Sequence, residues 1–462
     1  MRGKGGWEVA TREITINEAL DSVSETSSYQ LWVCFLCFLV TTLDGFDLIV
    51  IGVATPKIAE FLHITMKALG LAMGVVTFGP LIGALLFGMP ADRVGRKWML
   101  SASALVFGLA TLLTAFISNV GQLSVLRFFT GLGAGGAVPI ALAFGSEYAP
   151  SRLRKTFVAS MYMGMPVGGT VGGLVAAYCI PRWGWQSLFV FGGITPMVVA
   201  LIAMAFLPES LEFLAVRGGN DERIRKIIGK VAPRIARDQD LRFIPSEKKP
   251  PGVPFTHLFL EGRGSVTVLF WLIMLGSLYI LSLVVGWAPT LLHRSGASVV
   301  QYSIAFAFFN FGSVVATFII GRLMDSANPF RLLEGLFVLA FASLVVFGIF
   351  AGGSFATVTC TSILCGLFVA GSFSGLLALL TVSYPPYMRS TAVSWAYALA
   401  RIGSFLASAI GGYLITIGWS VTRICSTNAV IGLVVAVLII ALRKRLTALA
   451  TVANRQGAVH TS

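Results

Sequence analysis

Long apolar runs separated by short polar breaks dominate the chain. Apolar segments occupy 31–54, 68–90, 98–118, 121–145, 156–180 and 186–207, then 265–287, 300–320, 332–350, 355–380, 391–417 and 421–442. Each is close to the roughly 20 residues that a helix rising about 1.5 Å per residue needs to cross a hydrocarbon core of about 30 Å. The pattern predicts an all-α membrane protein with twelve transmembrane helices in two pseudo-symmetric bundles of six, at 31–207 and 265–442. Residues 1–30 are polar and mixed in charge, lack the early apolar core of a cleavable signal peptide, and read as a cytoplasmic tail. Residues 208–264 hold eleven Lys or Arg and the run Lys248-Lys249-Pro250-Pro251, which reads as a cytoplasmic linker, with a second tail at 443–462. Within the linker, 221–231 is expected to form a short amphipathic helix on the membrane surface.

Composition narrows the class. Of 462 residues, 56% are hydrophobic and 12% charged, against roughly a quarter charged in a soluble domain. A soluble enzyme, a disordered chain and a disulfide scaffold are excluded. The net charge of +14 raises the question of a nucleic-acid partner, but 27 of the 34 Lys and Arg fall in the tails and alternate loops and only five in the other loops. That asymmetry follows the positive-inside rule, so both termini are expected in the cytoplasm and no nucleic-acid partner is implied. The six cysteines lie in or beside apolar runs. Cys34-x-x-Cys37 reads as two small side chains in a lipid-embedded helix, with a membrane redox centre as its rival reading.

The two groups of helices echo each other. Gly88-Met-Pro-Ala-Asp92-Arg93-Val-Gly95-Arg96-Lys97 follows the second span and Gly321-Arg322-Leu-Met-Asp325 the eighth, sharing Gly-x-x-x-Asp at a separation of 233 residues. Tyr148-Ala-Pro150 with Arg154 after the fourth span matches Tyr384-Pro-Pro386 with Arg389 after the tenth. Duplicated halves of this kind build many secondary transporters, with the substrate site near the midplane between them. Gly131-Leu-Gly133-Ala-Gly135-Gly136 satisfies G-x-G-x-x-G, yet it lies inside an apolar span without the strand and acidic partner of a dinucleotide site; close approach of a neighbouring helix is the better account. No phosphate-binding G-x-x-x-x-G-K-[ST] loop occurs, and four scattered histidines offer no metal site. No cofactor and no enzymatic activity are expected.

The candidate chemistry is carried by four ionisable residues deep in apolar spans: Asp44, Asp47, Arg127 and Arg401. Such charges cost at least about 2.5–3.5 kcal/mol at the bilayer centre and mark ion or substrate pathways, a structural ion pair being the alternative. Asp44 falls some 20 Å from the cytoplasmic edge and Arg127 roughly 10 Å below the opposite edge, which in a core of about 30 Å is the same depth. Asp44 and Asp47 share a helix face. One cluster of Asp44, Asp47 and Arg127 is therefore expected. Two neighbouring carboxylates cannot both ionise cheaply away from water, so the pair is a candidate proton-binding site. Arg401, in the opposite half, suits a carboxylate, which its planar fork can hold bidentately. Arg127, Trp395, Tyr397, Phe306, Phe309 and Asn310 are further candidates for a substrate lining.

Gly88-x-x-Ala-Asp92-Arg93-x-Gly95-Arg96-Lys97, its partner Gly321-Arg322-Leu-Met-Asp325, Arg127-x-x-x-Gly131 and Pro208-Glu209-Ser210 resemble the major facilitator superfamily over nearly the whole chain. Asp44-Gly45-Phe46-Asp47, Trp287-Ala-Pro289-Thr290 after the seventh span and Arg401-Ile-Gly403 more narrowly resemble the aromatic acid/proton symporters. The resemblance implies a bacterial inner-membrane permease, acting as a monomer, that carries a benzoate-like or hydroxybenzoate-like anion with protons. It also implies a latch stabilising the outward-facing state, built on Gly88, Asp92, Arg93, Gly95 and Arg96, with Glu147 and Arg154 as partners and Asp325 and Arg389 as second-half counterparts. After Asp325 the sequence departs from the pattern, reading Ser-Ala-Asn-Pro-Phe, so a symmetric latch is not expected. Proton-driven uptake by alternating access is the expected activity. Carriage of a sugar or an aliphatic acid, or sensing of aromatic acids, are the alternatives.

Overall fold

The structure, a computed structural model, describes residues 12–23, 25–238, 241–246, 255–260, 263–384 and 386–459. Among the described residues, twelve helices are long and apolar enough to span a membrane: α1 (Ser28–Leu62), α2 (Met66–Val94), α3 (Arg96–Thr114), α4 (Val120–Tyr148), α5 (Ser151–Trp183) and α6 (Gln186–Phe206), then α7 (Gly264–Arg294), α8 (Val299–Met324), α9 (Pro329–Phe350), α10 (Phe355–Ser383), α11 (Thr391–Thr416) and α12 (Val421–Thr447). Their ends are set by capping groups, which hydropathy does not register. Ser27 and Gln30 make a reciprocal capping box at α1, Ser298 and Gln301 another at α8, and the Asn119 side chain caps α4. Gly95 joins α2 to α3 at φ 118°, a conformation that only glycine adopts freely. The seventh helix outruns its apolar segment, so Trp287-Ala-Pro289-Thr290 lies inside α7 and not after it. Trp287 is fully buried there, packed on Gly411 and Gly412 of α11 and Gly70 of α2.

Helix pairing repeats between the halves. In the first half α1 packs on α5, α2 on α4 and α3 on α6; in the second, α7 packs on α11, α8 on α10 and α9 on α12. The halves meet along α1 with α7, α2 with α11 and α5 with α8, which is the pattern a pseudo-twofold axis between them produces. The glycine run of α4 is a packing device, as its position implied. A Cβ on Gly131 would lie 2.9 Å from the Val76 carbonyl oxygen of α2, and one on Gly133 would lie 2.6 Å from the Ser103 carbonyl oxygen of α3. Gly45 is equally tight, its face closed by the Met165 backbone of α5.

The face where α1 begins and α12 ends, here the terminal face, carries a folded cap. Residues Arg12–Thr15 (β1) pair in parallel with Leu241–Ile244 (β2), joining the tail to the linker. The helix Ile16–Asp21 buries Ile16, Ala19 and Leu20 in one cluster with Leu211, Leu214, Ile224, Ile228 and Phe243. The segment expected as an amphipathic helix on the membrane surface is helical over Asp221–Ile228, but its apolar face meets protein. Both hydrophilic segments contribute to one hydrophobic core that continues into the ends of the membrane helices, which neither segment displays alone. Asp21 Oδ1 accepts from the Ser151 N–H at 2.7 Å, and Arg154 donates to Asn17 Oδ1 at 2.6 Å, docking the cap on the start of α5.

On the opposite face the halves are sealed. His293 Nε2 of α7 lies 3.3 Å from Glu60 Oε1 of α1, the Lys67 N–H donates to Thr416 Oγ1 at 2.9 Å, and Phe405 of α11 packs on Phe78 of α2 at 5.6 Å between rings. The parts of α2, α5 and α10 nearest the terminal face pack principally within their own half. The seam therefore opens toward the terminal face.

Substituting Gly45→Ala forces a methyl into the α1–α5 contact and is expected to cost about 1–3 kcal/mol, lowering the melting temperature of the purified protein. Gly88→Ala, where nothing lies within 4 Å of the new Cβ, is the control expected to melt as wild type. Scanning fluorimetry in detergent reads both, and equal melting temperatures for the two variants contradict the packing described.

Candidate functional site

The Asp44-Gly45-Phe46-Asp47 turn of α1 lies at the level where α1 leans on α5. Gly45 holds that contact, and the Thr41 hydroxyl donates to the Met161 carbonyl at 2.5 Å one turn away. The two carboxylates diverge from there. Asp47 turns into its own half, where Arg127 of α4 donates through one terminal nitrogen to Oδ1 at 3.0 Å and Oδ2 at 2.9 Å. Thr111 donates to Asp47 Oδ1 at 3.2 Å, while the other terminal nitrogen of Arg127 donates to Thr130 at 3.1 Å. The guanidinium also sits 5.3 Å over the Phe189 ring. Arg127 is 1% exposed and Asp47 7%. This is a buried, neutral ion pair that neighbouring threonines extend with further hydrogen bonds, leaving Arg127 Nε without a partner among the described residues.

Asp44 is not part of that pair, which corrects the expected single cluster. At 9% exposure it has no hydrogen-bond or ion-pair partner among the described residues, yet its oxygens are not among the fully enclosed unpaired atoms. The charges that act on it are Asp47 of its own turn and Arg401 of α11, across the seam. Tyr162 of α5 shares this neighbourhood, within electrostatic reach of Asp44, Arg401 and Tyr397. Arg401 lies 5.0 Å over the Tyr397 ring one helical turn away. Two polar groups from each half thus converge at one depth, one to two turns on the terminal side of the Phe405–Phe78 contact. Among the described residues their hydrogen-bonding groups have no partner, which leaves them available to a ligand.

Several expected lining residues fall elsewhere. Arg127 is occupied by Asp47 and is not exposed to a ligand. Phe309 is buried in the core, stacked on Phe306 at 5.2 Å. Asn310 sits in the α5–α8 seam, donating to the Phe306 carbonyl at 2.9 Å with its side-chain oxygen against Gly169. Trp395 is 42% exposed and, six residues from Arg401, is turned about 120° away from it around the helix. Tyr162 escaped the sequence reading because a lone tyrosine inside an apolar run has no distinguishing signal. Its weak pointer was Pro166, four residues on.

The loop motif at the terminal face forms a network within the first half. Arg96 pairs with Glu147 of α4 and reaches Asp92 at 3.4 Å. Glu147 accepts from the Ser210 hydroxyl at 2.5 Å, and Glu209 accepts from the Lys97 N–H at 3.1 Å, so Pro208-Glu209-Ser210 belongs to the same cluster. Arg154 leaves this cluster for Asn17 of the cap, and Arg93 and Arg389 are exposed. The Asp325 side chain lies outside the described residues. In the second half, among the described residues, Glu334 of α9 pairs with Arg443 of α12 at 3.2 Å.

Twelve helices in two halves related by a pseudo-twofold axis, with unpaired polar groups facing each other across a seam sealed at one end, define a secondary transporter. The model of the Major Facilitator Superfamily matches residues 37–360 and 270–460, and the chain belongs to that superfamily, with the aromatic-acid transporters that it resembles. It is 35% identical over 426 residues to the 4-hydroxybenzoate transporter PcaK of Acinetobacter baylyi, covering 91% of this chain and 92% of that one. It is 37% identical over 402 residues to the PcaK of Pseudomonas putida, covering 86% and 89%. The xylose transporter XylE from E. coli, in a partially occluded inward-open conformation, shares the fold at a TM-score of 0.70 and 16% identity, covering 89% of this chain and 97% of that one.

Arg127→Gln leaves the Asp47 charge buried without its partner and is expected to destabilise the protein by about 3–5 kcal/mol. Combining it with Asp47→Asn removes both charges and should restore much of the loss. Melting temperatures of the single and double variants test this; a single variant as stable as wild type rules out the compensation described.

Proposed function

We propose that the protein imports a hydroxybenzoate-like aromatic carboxylate together with protons across the bacterial inner membrane. It works as a monomer with both termini, and hence the terminal face, in the cytoplasm. The gradient of protons is the driving force and no cofactor takes part. The observation that carries this reading is the opposition of Asp44 and Arg401 across the seam, each without an ion-pair partner in its own half among the described residues. The names of the relatives supply the substrate class.

Coupling follows from charge balance. In the empty carrier the Asp44 carboxylate and the Arg401 guanidinium compensate each other between the halves. With a proton on Asp44 and a carboxylate held by Arg401, each half presents a neutral unit and the sum is again zero. A proton alone leaves Arg401 uncompensated, and the anion alone leaves Asp44 uncompensated; either state carries a net charge in the hydrocarbon at a cost of at least about 2.5–3.5 kcal/mol. Rocking of the halves is therefore confined to the empty and doubly occupied carrier. Asp47, already neutralised by Arg127, holds α1 against α4 while this happens. The Asp92, Arg96 and Glu147 network lies where the halves close when the carrier faces outward, which suits a latch for that state.

Uptake of labelled 4-hydroxybenzoate by the wild type should rise as external pH falls and collapse with an uncoupler. Asp44→Asn is expected to abolish accumulation driven by a pH gradient while leaving exchange of substrate across the membrane. Arg401→Lys keeps the charge but loses the bidentate fork, raising KM about tenfold. Asp44→Asn vesicles that still respond to an imposed pH gradient exclude Asp44 as the proton carrier.

A further inference from the structure

Tyr162 has no role in the charge balance above, yet its placement is unusual. The α5 helix is built from two pieces, Arg154–Tyr162 and Gly164–Trp183, with Tyr162 closing the first. Pro166, four residues on, has no N–H to donate to the Tyr162 carbonyl, so the helical ladder is interrupted at this residue. Around the interruption the backbone is pinned to α1: Met161 by the Thr41 hydroxyl, Gly164 by Thr41 and Thr42, and Met165 by Gly45. Tyr162 is thus held at the depth of Asp44 and faces the seam, where Tyr397 and Arg401 stand opposite. Its hydroxyl has no hydrogen-bond partner among the described residues, and none of the charge pairs involves it.

We propose that Tyr162 determines specificity by binding the ring hydroxyl of the substrate. The proposal rests on the aromatic-acid reading above. A carboxylate held by Arg401 places its ring beside Tyr397, which lies under the same guanidinium, and points the remote end of the ring at the first half. There the facing groups are Asp44, reserved for the proton, and the Tyr162 phenol, which both donates and accepts. A hydroxyl in that position pairs with Tyr162. Benzoate, lacking it, leaves the phenol unpaired in a desolvated site, the circumstance under which a binding site discriminates most strongly.

The test compares initial uptake rates of 4-hydroxybenzoate and benzoate in vesicles holding wild type or Tyr162→Phe, and thermal shifts of the purified wild type with each acid and with 4-methoxybenzoate. The expected result is a wild-type preference for 4-hydroxybenzoate that falls about tenfold in Tyr162→Phe, with 4-methoxybenzoate stabilising the wild type less than 4-hydroxybenzoate. A variant that keeps the wild-type ratio overturns the proposal. Equal thermal shifts of the wild type with the three acids overturn it whatever the variant does. A wild type that carries no aromatic acid overturns the functional reading itself, and this inference with it.

Discussion

A charge in the hydrocarbon needs compensation, and where each of four charges finds it organises this protein. Asp47 and Arg127 find it in each other inside the first half, with Thr111 and Thr130 taking up further hydrogen bonds. That pair survives any motion between the halves, because both partners move together. Asp44 and Arg401 are separated by the seam, so their compensation changes whenever the halves part or a ligand enters. A spacing of three residues on one helix turn thus separates a carboxylate paired within its own half, Asp47, from one that faces the seam, Asp44.

Each half depends on close packing that small residues permit. In a membrane no hydrophobic drive holds helices together, so contact area does, and backbone approach at Gly45, Gly131 and Gly133 supplies it within the first half. Within each half the helix pairs are the same, and between the halves the pairs exchange in the manner of a twofold axis. Rigid halves meeting along a few helices can rock without repacking. The far seal combines aromatic contact at Phe405 and Phe78 with a polar contact between Glu60 and His293, both of which must part when access alternates.

The terminal face departs from the twofold pattern. Its cap of tail and linker docks on the first half through Asn17 and Asp21, engaging Arg154 and the start of α5 beside the Asp92, Arg96 and Glu147 network. Among the described residues, the second half has the Glu334–Arg443 pair at the corresponding ends of α9 and α12. Duplication produced the bundles; the loop chemistry then diverged, as the sequence after Asp325 already indicated.

Hydropathy, residue spacing and charge placement determined the number of spans, the duplication, the loop motif and the four intramembrane charges, because a bilayer imposes its length and polarity on each helix separately. The pairing of charges was legible only to within a helix face. Equal depth in the membrane put Asp44, Asp47 and Arg127 together, but residues three apart on a helix differ by about 60° in direction, and the position of α4 decided which carboxylate met the arginine. Tyr162, the capped ends of the helices and the shared core of tail and linker were likewise decided by tertiary structure. Each depends on contacts between segments distant along the chain, and no local pattern records which neighbour a side chain will face.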